Sequence, residues 1–346
     1  MLKASFVFFI IPFIISGGGA WIIYRYGDRI GLLDEPNERS SHYWPTPKGG
    51  GIGILTAFLF ASFFVQIPPT FWVSATFLAL LSFIGDKYHF SPKLRLPLHF
   101  IAAIAFIVGR KPFLLDHLNG VLVIICYVVF IVGTTNWYNF MDGINGIAAI
   151  TGIVGFSLLA LSNISSEGDP LYTILSICIS LSCLGFLPFN LPNAKIFMGD
   201  VGSILLGFVF AAMVVVLSRN FLDFVCLAAF LFPFYADELT TMAIRINDGE
   251  NLLYPHRRHL YQLLANEKKN RTLESFYRIW HITTPDRVKC SWNKTFWIII
   301  CIRSVSPLLC CICLYKLLYT KKNRLFRYTT HYSLRSALRI FSISSG

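Results

Sequence analysis

Asn139-Phe-Met-Asp142-Gly-Ile-Asn145-Gly146 leads straight into an apolar run at 147–162, and Lys195-Ile-Phe-Met-Gly-Asp200-Val-Gly-Ser203 leads into another at 203–217. In both stretches, carboxylate and amide side chains stand among glycines at the lip of a long apolar segment. Withdrawing a carboxylate from water is costly unless it finds a cation or a partner. Two such islands in one chain imply a shared polar ligand at a membrane surface, a metal and phosphates being the combination that suits them.

Outward from these islands the same alternation continues. The chain has 346 residues, 55% of them hydrophobic and only 14% charged, with a mean hydropathy of +0.60. That is the composition of a polytopic membrane protein. Apolar runs lie near 4–24, 50–66, 70–85, 96–109, 119–135, 147–162, 171–189, 203–217 and 221–236, with a weaker one at 296–319. They are continuously apolar and too long for barrel strands. The expected fold is therefore all-α: a membrane helix bundle of about ten transmembrane helices, with an active site built from loops on one face. The first run reads as a span, since no small-x-small cleavage site follows it.

Ordering the runs sorts the joints between them. Those at 67–69, 110–118, 163–170 and 218–220 are short. Those at 25–49, 86–95, 136–146, 190–202 and 237–268 hold nearly all the polar chemistry. Strict alternation puts every polar motif on one side of the membrane. Within 1–267 that side carries eleven Lys and Arg, against Lys3, Arg110, Lys111 and Arg219 on the other. The excess of basic residues marks the motif side as cytoplasmic.

The net charge of +12 is unevenly distributed. Residues 1–267 hold 15 Lys and Arg against 16 Asp and Glu, whereas 268–346 hold 15 against 2. This divides the chain into a membrane-embedded domain, 1–268, and a basic tail, 269–346, with one candidate span at 296–319. The tail reads either as a segment drawn to anionic headgroups or as the product of a shifted reading frame. No nucleic-acid-binding motif accompanies its charge. Cys310-Cys311-Ile-Cys313 lies in an apolar run without histidines in metal-ligand spacing, so buried thiols suit it better than zinc.

Five motifs carry the candidate chemistry. The loop from Asp34 to Gly51 ends in Lys48-Gly49-Gly50-Gly51, where backbone N–H groups and a lysine can meet an anion; an ordinary juxtamembrane loop with a snorkelling lysine has the same residues. Asp86, in Gly85-Asp86-Lys87, reads as a metal ligand, a base or a helix-end charge paired to Lys87. Asn139, Asp142 and Asn145 recur every third residue, so one helical turn or an extended loop presents them together; helix packing and capping is the plainer reading. Asp200 suits Mg²⁺, which is commonly held by one or two carboxylates plus substrate phosphates; a salt bridge to Lys195 is its structural alternative. Tyr254-Pro-His256-Arg257-Arg258-His259-Leu-Tyr-Gln262 concentrates cations that read phosphate or sugar hydroxyls, or else lipid headgroups.

Between about Gly31 and Leu264 these motifs, in this order, resemble the polyprenyl-phosphate N-acetylhexosamine-1-phosphate transferase superfamily. The Pro255-His256-Arg257-Arg258-His259-Leu-Tyr-Gln262 form is similar to the branch that initiates O-antigen synthesis. The resemblance implies transfer of a sugar-1-phosphate from a UDP-sugar to undecaprenyl phosphate in the bacterial inner membrane, releasing UMP. It implies dependence on Mg²⁺, with Mn²⁺ as a substitute, and allows a homodimer. On this reading Asp200 and Asp142 bind the metal, and Asp86 positions or deprotonates the acceptor phosphate. The donor and acceptor would be held by Lys48, Asn139, Asn145, Asn190, Lys195, His256, Arg257, Arg258 and His259. One departure stands out: the family commonly has two adjacent aspartates after the third span, and here the pair is Gly85-Asp86. Competing classes are a transporter, disfavoured because the charges sit in loops and not at mid-span, and a non-catalytic lipid-binding membrane protein.

Overall fold

The computed structural model describes residues 6–36, 44–88, 90, 92–110, 118–251 and 259–262; His256, Arg257, Arg258 and the basic tail lie outside the described residues. Ten main helices follow one another: α1 Phe6–Tyr26, α2 Ile52–Val65, α3 Pro69–Tyr88, α4 Pro92–Arg110, α5 Leu118–Phe140, α6 Ile147–Ser165, α7 Pro170–Asn190, α8 Asp200–Leu217, α9 Phe221–Ala228 and α10 Phe232–Asn247. Proline begins α3, α4 and α7, where its missing N–H costs nothing. Asp169 caps α7 by accepting the Leu171 N–H at 3.0 Å. The bundle is all-α, as the continuous apolar runs require. Its only sheet among the described residues is the two-residue pairing of β1, Leu33–Asp34, with β2, Thr46–Pro47.

α8 is the centre. It is apolar on every side, and all fifteen residues from Val201 to Val215 are buried, as expected of a helix surrounded by others. α3 and α5 pack along it, with α2 and α6 adding shorter contacts, while α1, α2, α6 and α7 form a second group joined through α7. Close approach at the site end depends on glycine. A Cβ on Gly51 would lie 2.4 Å from the Gly202 Cα, so the starts of α2 and α8 touch backbone to backbone.

Several boundaries differ from those read in the sequence. Among the described residues, six helices are long and apolar enough to cross a membrane: α1, α3, α5, α6, α7 and α8. The expected count of about ten is not confirmed among the described residues, and its last candidate, 296–319, lies outside them. α2 has only 14 residues, and α4 carries Lys93, Arg95, His99 and an internal Pro97. The run at 221–236 is not one helix. A 3-10 turn at Ala229–Leu231 separates α9 from α10, and α10 continues to Asn247, into what hydropathy assigned to a loop. Asp237, Glu238 and Arg245 are buried there, so tertiary partners stabilise a helix that apolarity alone does not mark.

Candidate active site

The polar joints gather at one end of the bundle because the ends of successive helices bond to one another. Asn190, closing α7, accepts the Gly146 N–H at 2.5 Å through Oδ1 and donates from Nδ2 to the Ile196 carbonyl at 2.9 Å. Asn145 Nδ2 reaches the Pro192 carbonyl at 3.2 Å. The Gly50 N–H donates to the Phe197 carbonyl at 3.0 Å, the Gly51 N–H to Met198 at 2.8 Å, and the Phe197 N–H to Pro47 at 2.8 Å. The loops before α2, α6 and α8 are thus one connected platform.

Asp86 lies in the last turn of α3, 7% exposed. Its Oδ2 accepts the Asp200 N–H at 3.0 Å, so it sits at the positive end of α8. Its Oδ1 is 4.0 Å from Lys48 Nζ, which is also 3.9 Å from Asp34 Oδ1. Lys48 is aimed by its backbone: its N–H donates to the Leu32 carbonyl at 2.8 Å, extending the β1–β2 pairing.

The carboxylate of Asp200 accepts a hydrogen bond from Arg95 Nη1. The structural alternative weighed for Asp200, a salt bridge to Lys195, is thus replaced by one to Arg95. Lys195 is exposed, and no ion pair holds it among the described residues. Arg95, on the first turn of α4, therefore belongs to the site, although in the sequence it is only a trailing basic residue. Helical spacing could have signalled it, since Arg95 and His99 stand one turn apart on one face. His99 Nδ1 meets Asn136 Nδ2 at 3.1 Å, and its buried Nε2 has no partner among the described residues.

Asn139 stands in the last turn of α5 and Asp142 in the turn after it, the Asp142 N–H donating to the Asn139 carbonyl at 3.1 Å, while the Asn145 amide turns to Pro192. Asn139 Oδ1 accepts from Ser203 Oγ at 2.5 Å, tying α5 to the first turn of α8. Asp142 keeps part of its surface open yet is hemmed in by protein. Burial, then the nearby charges of Asp200 and Asp86, push its carboxyl up to about 7. Asp86, Asp142 and Asp200 are thus close enough to feel one another.

His259 is buried, with Nδ1 3.7 Å from Asp237 Oδ1 and 3.4 Å from Glu238 Oε2. Its ring stacks on Tyr261 at 5.6 Å. Tyr261 donates its hydroxyl to the Phe140 carbonyl at 3.0 Å, and its N–H to Asp237 Oδ2 at 3.3 Å. Residues 259–262 are thereby pinned to the end of α5, beside Asp142. Asp237 and Glu238 were missed in the sequence. The available signal was a carboxylate pair directly following an apolar run.

Asp86, Asp142 and Asp200 are the side chains here that would hold a divalent cation. Three mutually repelling carboxylates face two cationic side chains, and one of them, Asp142, holds its proton to about neutrality. Among the described residues no three His, Cys, Asp or Glu side chains converge as a ready-made metal cage. An ion here would complete its coordination with water and phosphate oxygens, which is the habit of Mg²⁺.

Comparison with known proteins gives the same direction. Residues 69–218 match glycosyl transferase family 4. The chain is 32% identical over 225 residues to a Bacillus subtilis protein named "Probable undecaprenyl-phosphate N-acetylglucosaminyl 1-phosphate transferase", covering 60% of this chain and 63% of that one. It is 27% identical over 247 residues to the undecaprenyl-phosphate alpha-N-acetylglucosaminyl 1-phosphate transferase of Thermotoga maritima, covering 71% and 77%. It is 36% identical over 155 residues to a phospho-N-acetylmuramoyl-pentapeptide-transferase of Staphylococcus saprophyticus, covering 41% and 47%. The chain thus spans less than two thirds of the Bacillus subtilis relative's length.

Proposed function

We propose that this chain is a polyprenyl-phosphate N-acetylhexosamine-1-phosphate transferase of the glycosyl transferase family 4 kind, a reading that the match over residues 69–218 and the relatives' names support, and that it moves an N-acetylhexosamine-1-phosphate from a UDP-sugar to undecaprenyl phosphate, releasing UMP. One observation carries the reading: Asp86, Asp142 and Asp200 meet Lys48 and Arg95 at one end of a membrane bundle. The acceptor is anchored in the bilayer by its prenyl chain and the donor is a soluble anion, so they must meet at the membrane surface. The polar end of the bundle supplies that surface. We place it on the cytoplasmic side of the inner membrane, from the excess of basic residues in its joints.

Joining two anions requires charge neutralisation and in-line alignment more than covalent help from the protein. Asp200 and Asp142 would hold Mg²⁺, whose charge would neutralise oxygens of the donor pyrophosphate. Lys48 stands against Asp86 and would share its charge with an incoming phosphate, whereas the Gly50 and Gly51 N–H groups are spent on Phe197 and Met198 and do not serve as the anion contacts their sequence suggested. Asp86 orients the start of α8 and, with Lys48, the acceptor phosphate. That phosphate is already largely ionised at neutral pH, so Asp86 need align it more than deprotonate it. Asn190 and Asn145 spend their amides on loop backbone, and we assign them to holding the platform and not to binding sugar. Lys195 and the His256–His259 segment remain the proposed contacts to donor pyrophosphate and sugar.

The relatives' names include N-acetylglucosaminyl transferases and a muramoyl-pentapeptide transferase. Initiation of O-antigen or a related envelope polysaccharide is the role we favour, from the Pro-His-Arg-Arg-His-Leu-Tyr-Gln form. The test is turnover by the purified chain with undecaprenyl phosphate, Mg²⁺ and UDP-N-acetylhexosamines differing in sugar. UMP release with UDP-N-acetylglucosamine or a close epimer supports the reading. No release with any N-acetylhexosamine donor would overturn it.

A further inference from the structure

Gly85 and Arg95 face each other across the ends of α3 and α4. A Cβ on Gly85 would lie 2.9 Å from an Arg95 Nη atom and 3.3 Å from both Cζ and Nε. The guanidinium therefore lies close against the glycine, in volume that any side chain would claim. From that seat Nη1 reaches the Asp200 carboxylate. Arg95 is only 22% exposed in its side chain, and its buried Nε–H has no partner among the described residues. The hold is charged but incomplete. A forked arginine–carboxylate pair uses two parallel bonds; here one buried donor is left unmet, which weakens the balance in favour of the closed arrangement.

The electrostatics of the site give this contact a role. Lys48 lies against Asp86, Arg95 lies against Asp200, and neither forms an ion pair with Asp142 among the described residues. Asp200 sits in the first turn of α8 and is one of the two carboxylates assigned above to the divalent cation. A guanidinium on that carboxylate and a metal on the same oxygen exclude each other, by charge and by volume.

We propose that Arg95 is a tethered counter-ion that occupies Asp200 in the resting protein and gives way to a divalent cation, and that Gly85 is the seat that lets it reach. Arg95 is then a positioning residue which lowers the apparent affinity of the site for free cation. It favours loading when a phosphate-bearing substrate arrives to draw the guanidinium away. This deepens the metal-dependent reading above and rests on it. The expected effect follows from occupancy: if Arg95 covers Asp200 about 80–90% of the time, the apparent cation affinity is reduced roughly five- to tenfold.

The experiment measures Mn²⁺ binding to the full chain in detergent micelles, without substrates, from the electron paramagnetic resonance signal of the free ion. Arg95→Met removes the charge; Gly85→Ala keeps it but displaces the guanidinium. Both variants should bind Mn²⁺ about fivefold or more tightly than the natural chain, and the double variant no more tightly than Arg95→Met. Should Arg95→Met not fold, Gly85→Ala decides the matter, since it leaves the charge in place. Tightening in Arg95→Met alone would mean net charge and not a seat, and would overturn the proposal, as would unchanged or weaker binding in Gly85→Ala. Mn²⁺ binding by none of the forms would overturn it too. UMP release, measured separately, tells whether the transferase reading fails with it.

Discussion

Asp200 serves two masters at the residue scale: its N–H is held by Asp86 and its carboxylate by Arg95. Asp200→Asn keeps the shape and the N–H but loses the charge a divalent cation requires. Turnover should fall by roughly 10²–10³-fold while the protein stays folded in the membrane. Near-normal UMP release at limiting Mg²⁺ would remove Asp200 from the site. Gly85→Asp is expected to harm activity or leave it unchanged, because the new carboxylate would meet Arg95 where the guanidinium now rests. A gain of tenfold or more, about 1.4 kcal/mol off the barrier, would mean that a second carboxylate helps after all. Asp142 gives a pH dependence of stability. Its carboxyl is raised from 3.8 to about 7, so between these values the folded protein holds a proton that the unfolded chain releases. Stability from this group is full below about pH 4 and is lost as the pH rises through about 7. Thermal unfolding in detergent without divalent cations should show that decline, and Asp142→Asn should flatten it.

At the scale of elements, the site is made by helix ends and not by whole helices. Asp86 stands in the last turn of α3, Arg95 in the first turn of α4, Asn139 in the last turn of α5, and Asp200 opens α8. Their alignment depends on how closely α2 approaches α8. Gly51→Val would push a branched side chain into the Gly202 backbone, at the upper end of the roughly 1–3 kcal/mol typical of overpacking. The Gly50 and Gly51 bonds to Phe197 and Met198 should break with it. Activity is expected to fall more steeply than thermal stability, since the start of α8 carries Asp200. Equal loss of both, followed across a temperature series, would show that this contact only supports the fold.

For the whole molecule, the alternation of short and polar joints puts the loop at 190–199 and the turn at 165–170 on opposite sides of the membrane. A membrane-impermeant thiol reagent checks this in a chain lacking its natural cysteines. Asn193→Cys should be labelled only from the cytoplasmic side and Ser165→Cys only from outside; both positions are exposed. Labelling of the two from one side would undo the topology on which the site's location rests.

The sequence alone was enough for the class of fold, because a run of apolar residues in lipid must satisfy its backbone internally and so becomes a helix whatever its neighbours are. It also marked which joints hold ionisable groups beside such runs, where they are costly. Asp86, Asp142 and Asp200 stood out for that reason, and the structure sets them near one another. Partnership was not. Asp200 lies five residues from Lys195 and 105 from Arg95, yet it pairs with Arg95, because α4 and α8 meet only once the bundle has packed. The same holds for α10, whose Asp237 and Glu238 are buried against His259 and Tyr261. Hydropathy reads such residues as loop. Local composition reports what each segment costs in lipid or in water, but which charge neutralises which depends on distances in three dimensions, and those only the tertiary structure decides.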